Sequence, residues 1–378
     1  MMNKFIYILM VGITLSACNV SKQETTTSKL TMVVGTYTDG ESKSKGIYTY
    51  CFDQETGTSS LLNEVAIPNP SYLTIAKDNR FIYSVSELND GNEAIYSFTF
   101  DKEKGRLKFA NKQPAMGGAP CYITNNDNYV VVANYAGGTV AVFPITKEGS
   151  LDAASQAFAY DGSGPDQTRQ ASSHLHCVSF TPDGKFLYAT DLGADFIYIF
   201  HVNNEIGAPK LLEKATPPDY HVGAGAGPRH ITFSANGKFM YLLNELDGGL
   251  SVFRQEEALL TEIQTTQADH LEARGSADIH ISPDGKFLYA SLRLQNDGLV
   301  IYSIDQASGM LTKIGYQNTG KHPRNFCITP NGKYLLVACR DTNTIEVYER
   351  NLATGMLTKT NKPILLDKPV CIKFAWEE

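Results

Sequence analysis

The sequence predicts an all-β protein, a seven-bladed β-propeller with four short strands in each blade. Three observations carry that expectation. A unit of turn, apolar run, turn and second apolar run recurs along the chain, best seen in TPDGKFLYATDL (181–192), SANGKFMYLLNEL (234–246), SPDGKFLYASLR (282–293) and TPNGKYLLVACR (329–340). Asp-Gly or Asn-Gly stands at the turn of each copy, a strong hairpin signal. The composition agrees: 19% of the 378 residues are charged, while Gly (31), Tyr (20) and Phe (18) are plentiful, which suits turn-rich strands better than a helical bundle.

Weaker copies, AKDNRFIYSVSEL (76–88) and NNDNYVVVANY (125–135), extend the series, and TMVVGTY (31–37) matches only the second half of the unit. The anchors Met32, Phe81, Tyr129, Phe186, Phe239, Phe287 and Tyr334 lie 49, 48, 57, 53, 48 and 47 positions apart. A period of about 50 fits one propeller blade per unit. Each anchor opens strand B. A second apolar run follows as strand C (GIYTYCFD, AIYSFTFD, GLVIYSID), and a Gly turn such as ETGT or ASGM leads to the edge strand D. The next unit opens with strand A, as in HLHCVSF or PRHITF. The first unit has B, C and D but no A, and the chain ends on KPVCIKFAWEE (368–378), which reads as a lone A. This last strand is expected to complete the first blade and leave no open edge. Long segments of helical period are scarce, which excludes a helical solenoid.

Net charge is −7 with no basic block, so no nucleic-acid partner is expected. Lys4 precedes an apolar stretch from Phe5 to Leu15, too short to span a bilayer and of the size of a signal-peptide core. It runs into Leu15-Ser16-Ala17-Cys18, which looks like a bacterial lipobox with Cys18 lipidated. The expected organisation is a leader over 1–17, a polar tether over 18–29 and the propeller over 30–378. Removing the leader takes away Lys4 alone, so the mature charge is −7 − 1 = −8. The expected location is the cell envelope, membrane-anchored on the periplasmic or outer-membrane side. The remaining six cysteines show no Cys-x-x-Cys and no zinc-like spacing with His. They sit in apolar runs and read as small buried hydrophobes.

Hairpin arithmetic places the unusual residues. A symmetric turn at Asn236-Gly237 sets Arg229 opposite Asn244 and Glu245 opposite Pro228. The turns at Asp183-Gly184, Asp284-Gly285 and Asn331-Gly332 set His176 opposite Asp191, Arg293 opposite Ser276 and Arg340 opposite Pro323. All fall at the end of the hairpin away from its turn. Strand A is innermost, so residues at its start ring the mouth of the central channel. One slot there, seven residues before the Asp or Asn of the turn, holds His176, Arg229 and Arg324, with Ser71 and Ala277 in two other blades. Polar strand ends also serve frayed backbone groups, so no rim residue argues for function alone. Convergence points to function: His, Arg, Glu245 and Asn134 gather at one end, and the other carries Lys and Asp-Gly turns.

The chain resembles the bacterial seven-bladed lactonase family, typified by propeller 6-phosphogluconolactonases and related to 3-carboxymuconate cyclase. The resemblance rests on VVGTYT…SKGIYTY (33–50), NPSYL (69–73), VANYAGGTVAVF (132–143), GSGPDQTRQASSHLH (162–176), DLGAD (191–195), GAGPRH (225–230), YLLNEL (241–246) and HPRNF (322–326), and covers essentially the whole mature chain. It implies an active-site set of His176 (or His174), Arg229, Glu245 and Arg293, and a small, anionic lactone as partner. The third A strand, APCYITNN, is expected to be shorter than those of the other blades, with a local departure from the family pattern near Asn134.

Lactone hydrolysis needs an activated water and donors for the developing oxyanion. On reference values, histidine (about 6.5) is a stronger base than glutamate (about 4.3) by roughly 3 kcal/mol. His176 is therefore assigned proton transfer and Glu245 the orienting of Arg229 or water. Arg229 and Arg293 would hold the carbonyl oxygen or an anionic group. His174, Arg169, Asn134 and Arg324 are substrate-binding candidates, His322 reads as a surface ion pair or a loop-ordering contact, and Thr36 and Tyr37 as the end of a strand. His174 and His176 alternate sides of a regular strand and make poor joint metal ligands. No Gly-rich phosphate loop and no nucleophile elbow is present, so neither metal nor cofactor is expected. Two other functions stay open: a cyclase or isomerase of an unsaturated dicarboxylate such as carboxymuconate, and a non-catalytic propeller displaying a binding surface at the envelope.

Overall fold

The computed structural model describes residues 28–205, 210–216 and 219–376. The expected leader and Cys18 lie outside the described residues. Lys29, counted above with the tether, already pairs with Asp53 at the start of the first strand, Lys29–Thr36.

The described strands form seven antiparallel sheets of four or five strands, each made of consecutive strands save one. In the exception, the C-terminal strand Pro369–Ala375 pairs with Lys29–Thr36, Thr31 opposite Ala375 and Gly35 opposite Cys371. Blade 1 is thus closed by the two ends of the chain, and no edge is left at the seam. The inner strands of blades 2 to 7 are Leu73–Ile75, Pro120–Asn125, Leu175–Phe180, Pro228–Phe233, Ile279–Ile281 and Pro323–Ile328. The C-terminal strand packs between those of blades 7 and 2, which completes the circle.

The repeat anchors gain a structural reason from the neighbouring blade. Phe81, Phe239, Phe287 and Tyr334 lie against the C–D turn glycines of the next blade: Gly149, Gly309, Gly355 and, across the seam, Gly57. A Cβ on any of these glycines would come within 2.0 to 2.7 Å of the ring, and all four have positive φ, between 69° and 80°. Tyr241 and Tyr289 donate to the carbonyls of Gly309 (3.0 Å) and Gly355 (2.7 Å). Aromatic anchor and turn glycine are two halves of one inter-blade latch, which is why they recur at one period.

Hairpin register holds through most of each A–B pair. His230 pairs with Leu243, Cys177 with Thr190, Asn325 with Ala338 and Ile279 with Ala290, all on the predicted sums. It slips by one residue at the rim. Pro228 faces Asn244, Leu175 faces Asp191 and Pro323 faces Cys339, so Arg229, His176 and Arg324 are each the extra residue of a β-bulge. Blade 3 bulges likewise at Cys121 and blade 1 at Val370. A bulge re-aims one side chain without disturbing the strand beyond it. In four of the five a proline precedes the bulged residue, at the strand's first position, where no ladder N–H is missed.

Candidate active site

The bulged slot forms one ring at the channel mouth: Val370, Ser71, Cys121, His176, Arg229, Ala277 and Arg324, in blade order. The residue after each B strand forms a second: Tyr37, Glu87, Tyr135, Leu192, Glu245, Arg293 and Arg340. Glu245 is the hub of the cationic side. Its Oε2 accepts from Arg229 Nε at 2.7 Å and lies 3.4 Å from Arg293 Nη2, while its Oε1 accepts from Arg169 Nη2 at 2.7 Å. Arg229, Arg293 and Glu245 are 1%, 5% and 6% exposed, so these charges meet with little water between them. Burial alone would raise the Glu245 carboxyl, but Arg293, Arg229 and Arg169 outweigh it and hold it at about 2. Glu245 is a fixed anion.

The guanidiniums are largely committed. Arg293 gives Nε to the Gly275 carbonyl (2.7 Å), Nη2 to Ser276 (3.2 Å) and Nη1 to His322 Nε2 (3.1 Å). Arg229 gives Nη1 to His230 Nε2 (3.2 Å) and to the Ala277 carbonyl. Its Nη2 has no hydrogen-bond partner among the described residues. The His230 ring lies 5.2 Å from that of His176, so Glu245, Arg229, His230 and His176 form a continuous chain of contacts. His176 is 4% exposed. Its Nδ1 is 3.9 Å from the Cys121 sulfur, and Tyr135 meets the ring edge-on at 5.6 Å. Its Nε2 is unpartnered among the described residues. Burial, then Arg229 and His230, push its pKa well below the ordinary value, so it is neutral at pH 7.

On the far side of the mouth Arg324 stacks over Tyr37 (5.4 Å), and both reach Glu87: the Tyr37 hydroxyl donates to Oε2 at 3.0 Å and Arg324 Nη2 lies 3.6 Å from it. Arg340 of the second ring pairs with Asp341 at 2.6 Å, and the remaining charges, Arg169, Arg229, Arg293 and Arg324 against Glu87 and Glu245, give the mouth 4 − 2 = +2.

The motif loops hold these side chains. Asp191 accepts from the amides of His174 (2.7 Å), Gly193 (3.0 Å) and Ala194 (3.1 Å). A Cβ on Gly193 would meet the Ser172 carbonyl at 1.9 Å. Asp195 accepts from Gln170 Nε2 (2.8 Å) and from the amides of Gly225 (2.7 Å) and Gly227 (2.8 Å). The loop carrying Arg169 and the loop leading to Arg229 are thus tied to one carboxylate.

Four of the predicted residues, His176, Arg229, Glu245 and Arg293, meet at the mouth, with Arg169 and Arg324 beside them. The structure gives three other residues the following partners. Asn134 spends its amide nitrogen on Ala115 O (2.9 Å) and Thr139 Oγ1 (2.8 Å), bracing the loop between blades 2 and 3. His174 stacks on Tyr135 (4.3 Å) with Nδ1 at the Tyr135 carbonyl (3.0 Å), on the rim rather than in the ring. His322 is no surface ion pair: it is 7% exposed, its ring accepts from Arg293, and its amide donates to Asp297 Oδ1 (2.8 Å). Sequence reasoning missed Glu87, His230 and Asp278, and read Tyr37 only as the end of a strand. Glu87 was legible, since SVSEL aligns with LLNEL, and so was Tyr37, which follows its B strand as Glu245 does. A groove of about 350 Å³ at the opposite end, between the turns at Asp183 and Asn236, gathers no comparable cluster.

Fold and rim together define a protein of the seven-bladed propeller class, with a polar, net-cationic channel mouth as its candidate site. The family model for the seven-bladed β-propeller lactonases matches residues 31–374. The 6-phosphogluconolactonase of Formosa agariphila is 36% identical over 348 residues, 89% of this chain and 97% of that protein. That of Bacillus subtilis strain 168 is 33% identical over 350 residues, 90% and 97% of the two chains. Among solved structures, a Bacteroides fragilis protein provisionally named 6-phosphogluconolactonase is 54% identical with a TM-score of 0.90, over 93% of this chain and 99% of that one. The periplasmic gluconolactonase of Pseudomonas aeruginosa is 33% identical with a TM-score of 0.86, over 92% and 99%. The chain belongs to the seven-bladed β-propeller lactonase family, and with it to the lactone-hydrolysing carboxylic-ester hydrolases.

Proposed function

We propose that the protein opens an anionic sugar lactone, with 6-phosphogluconolactone, giving 6-phosphogluconate, as the first candidate. The observation that carries this is the charge of +2 left in a mouth where Glu245 is already shared by three arginines. A guanidinium not neutralised by the protein is available to phosphate or carboxylate. The names of the Formosa and Bacillus relatives point the same way.

In the reaction, water attacks the lactone carbonyl carbon and its proton passes to His176 Nε2. The oxyanion develops against Arg229 Nη2, which has no hydrogen-bond partner among the described residues. Collapse breaks the ring C–O bond, and His176 returns the proton to the departing ring oxygen. What selects His176 over Glu245 is occupancy. The structure lowers both proton affinities, so the difference between reference pKa values does not decide the matter. Both Glu245 oxygens are held by guanidiniums, whereas His176 offers a free nitrogen. Glu245 keeps Arg229 and Arg293 in place.

The deciding experiment measures hydrolysis of 6-phosphogluconolactone and gluconolactone above the spontaneous rate. An anionic substrate is supported by a kcat/KM at least about 100-fold higher for the phosphorylated compound, the worth of two good charge-assisted bonds. Equal constants would point to a neutral lactone, the reading favoured by the similarity to the Pseudomonas gluconolactonase. We further propose that Cys18 anchors the propeller at the cell envelope, where an extracytoplasmic lactone would be its natural substrate.

A further inference from the structure

Arginine donates through its nitrogens and accepts through none. An imidazole nitrogen that meets a guanidinium at hydrogen-bond distance must therefore present its lone pair. Two buried histidines do so with Nε2: His230 at 3.2 Å from Arg229 Nη1, and His322 at 3.1 Å from Arg293 Nη1. Each then carries its ring proton on Nδ1, and each has a carboxylate on that side. For His230 it is Asp278 Oδ1 at 2.8 Å, and for His322 it is Asp341 Oδ2 at 3.5 Å. Asp278 is itself held by the Ile279 amide at Oδ1 (3.1 Å) and, at Oδ2, by His280 Nε2 (2.9 Å), the Phe326 amide (3.3 Å) and the Asn325 side chain.

We propose that His230 and His322 are positioning residues which, as neutral Nδ1–H tautomers, hold Arg229 and Arg293 against Glu245, and that Asp278 sets the tautomer of His230. The physical need is specific. Three guanidiniums share one carboxylate and repel one another. A second carboxylate beside Arg229 would cancel the charge left for substrate, and an apolar side chain would leave a buried N–H unmet. A neutral imidazole accepts the hydrogen bond and adds no charge. Burial and Arg229 push His230 down to about 3, against the pull of Asp278, and burial and Arg293 push His322 to about 2, so both stay neutral at any working pH. His230 follows Arg229 directly in sequence, and the bulge at Arg229 lets both side chains of one strand turn to the channel side.

The tautomer is a property of the protein, whereas its kinetic consequence rests on the lactonase reading, and the test separates the two. In protein labelled with ¹⁵N-histidine, the His230 resonances, assigned by their loss in His230→Gln, should show a protonated Nδ1 and an unprotonated Nε2. Asp278→Asn should reverse this. Three donors at Oδ2 hold the amide oxygen there, the NH₂ faces His230 Nδ1, and the ring proton moves to Nε2 against Arg229. With melting temperature retained, kcat should fall on the order of 100-fold, as for a small misplacement of a reacting group, while KM changes less than about threefold. His230→Phe should lose as much and His230→Gln, whose amide oxygen can accept in place of Nε2, should recover most of it. Nε2–H in the wild-type protein overturns the proposal, as do unchanged kcat values in folded Asp278→Asn and His230→Phe. If no lactone is turned over, the tautomer and its reversal in Asp278→Asn decide alone.

Discussion

Arg169 and Glu245 are 76 residues apart and meet at 2.7 Å, joining a loop before blade 4 to the end of a strand in blade 5. The contact puts a third guanidinium on a carboxylate that already holds Arg229 and Arg293. A 6% exposed anion with three cationic neighbours is the electrostatic keystone of the mouth.

Glu245→Gln should therefore damage stability and activity together. The substitution keeps the shape and removes the charge, leaving buried guanidiniums facing one another. Breaking a buried pair in this way costs about 3 kcal/mol or more, read as a lower denaturant midpoint at unchanged m-value. Undiminished stability would mean that Arg169 swings out to solvent and relieves the repulsion.

His176→Gln should lower kcat by about 100-fold or more, the usual contribution of a general base, and leave KM and melting temperature nearly unchanged. Retained kcat would move the base to another group, most directly to a water held by Arg229.

Arg229→Lys retains the charge but cannot reach Glu245, His230 and the substrate together, because an ammonium lacks the planar fork. A loss of about 100-fold in kcat/KM is expected, comparable to removing one oxyanion donor. Lysine at position 169, half-exposed and at the edge of the mouth, should be tolerated far better, within about tenfold.

Acid should destabilise the fold from an unusually high pH. His176, His230 and His322 all have folded pKa values below the unfolded one, so between the two the unfolded chain binds more protons. Their stabilising contribution is complete above about 6.5 and falls as pH drops below it. Glu245, also depressed, begins to lose its contribution only below its unfolded value of 4.5 and loses it down to about 2. Melting temperature should decline already between pH 6.5 and 5, and His322→Gln should flatten that decline. A flat profile down to pH 5 would refute neutral burial of the three rings.

The envelope assignment and the seam each have a direct check. Labelled palmitate should enter the wild-type protein and not Cys18→Ala. Deleting residues 368–378 removes the inner strand of blade 1 and exposes the edge at Lys29–Thr36, and the truncated chain should lose its cooperative melting transition.

The sequence by itself determined the number of blades, the closure by the C-terminal strand and the end of the propeller where the polar residues gather. These are consequences of local rules: the Asp-Gly and Asn-Gly turns, the period-two strands and the repeat of aromatic anchors with turn glycines. Hairpin counting also put His176, Arg229, Glu245 and Arg293 at that end to within one residue, and the resemblance to the lactonase family singled them out there. Tertiary structure decided which partners each marked residue meets. A bulge takes up that one residue and turns Arg229, His176 and Arg324 into the mouth. Whether a rim histidine is placed as a base, as we propose for His176, or as a neutral brace, as we propose for His230 and His322, depends on which guanidinium another blade places beside it. Distances between blades are set by the closed circle and leave no trace in local spacing, so those roles appear only once the ring is formed.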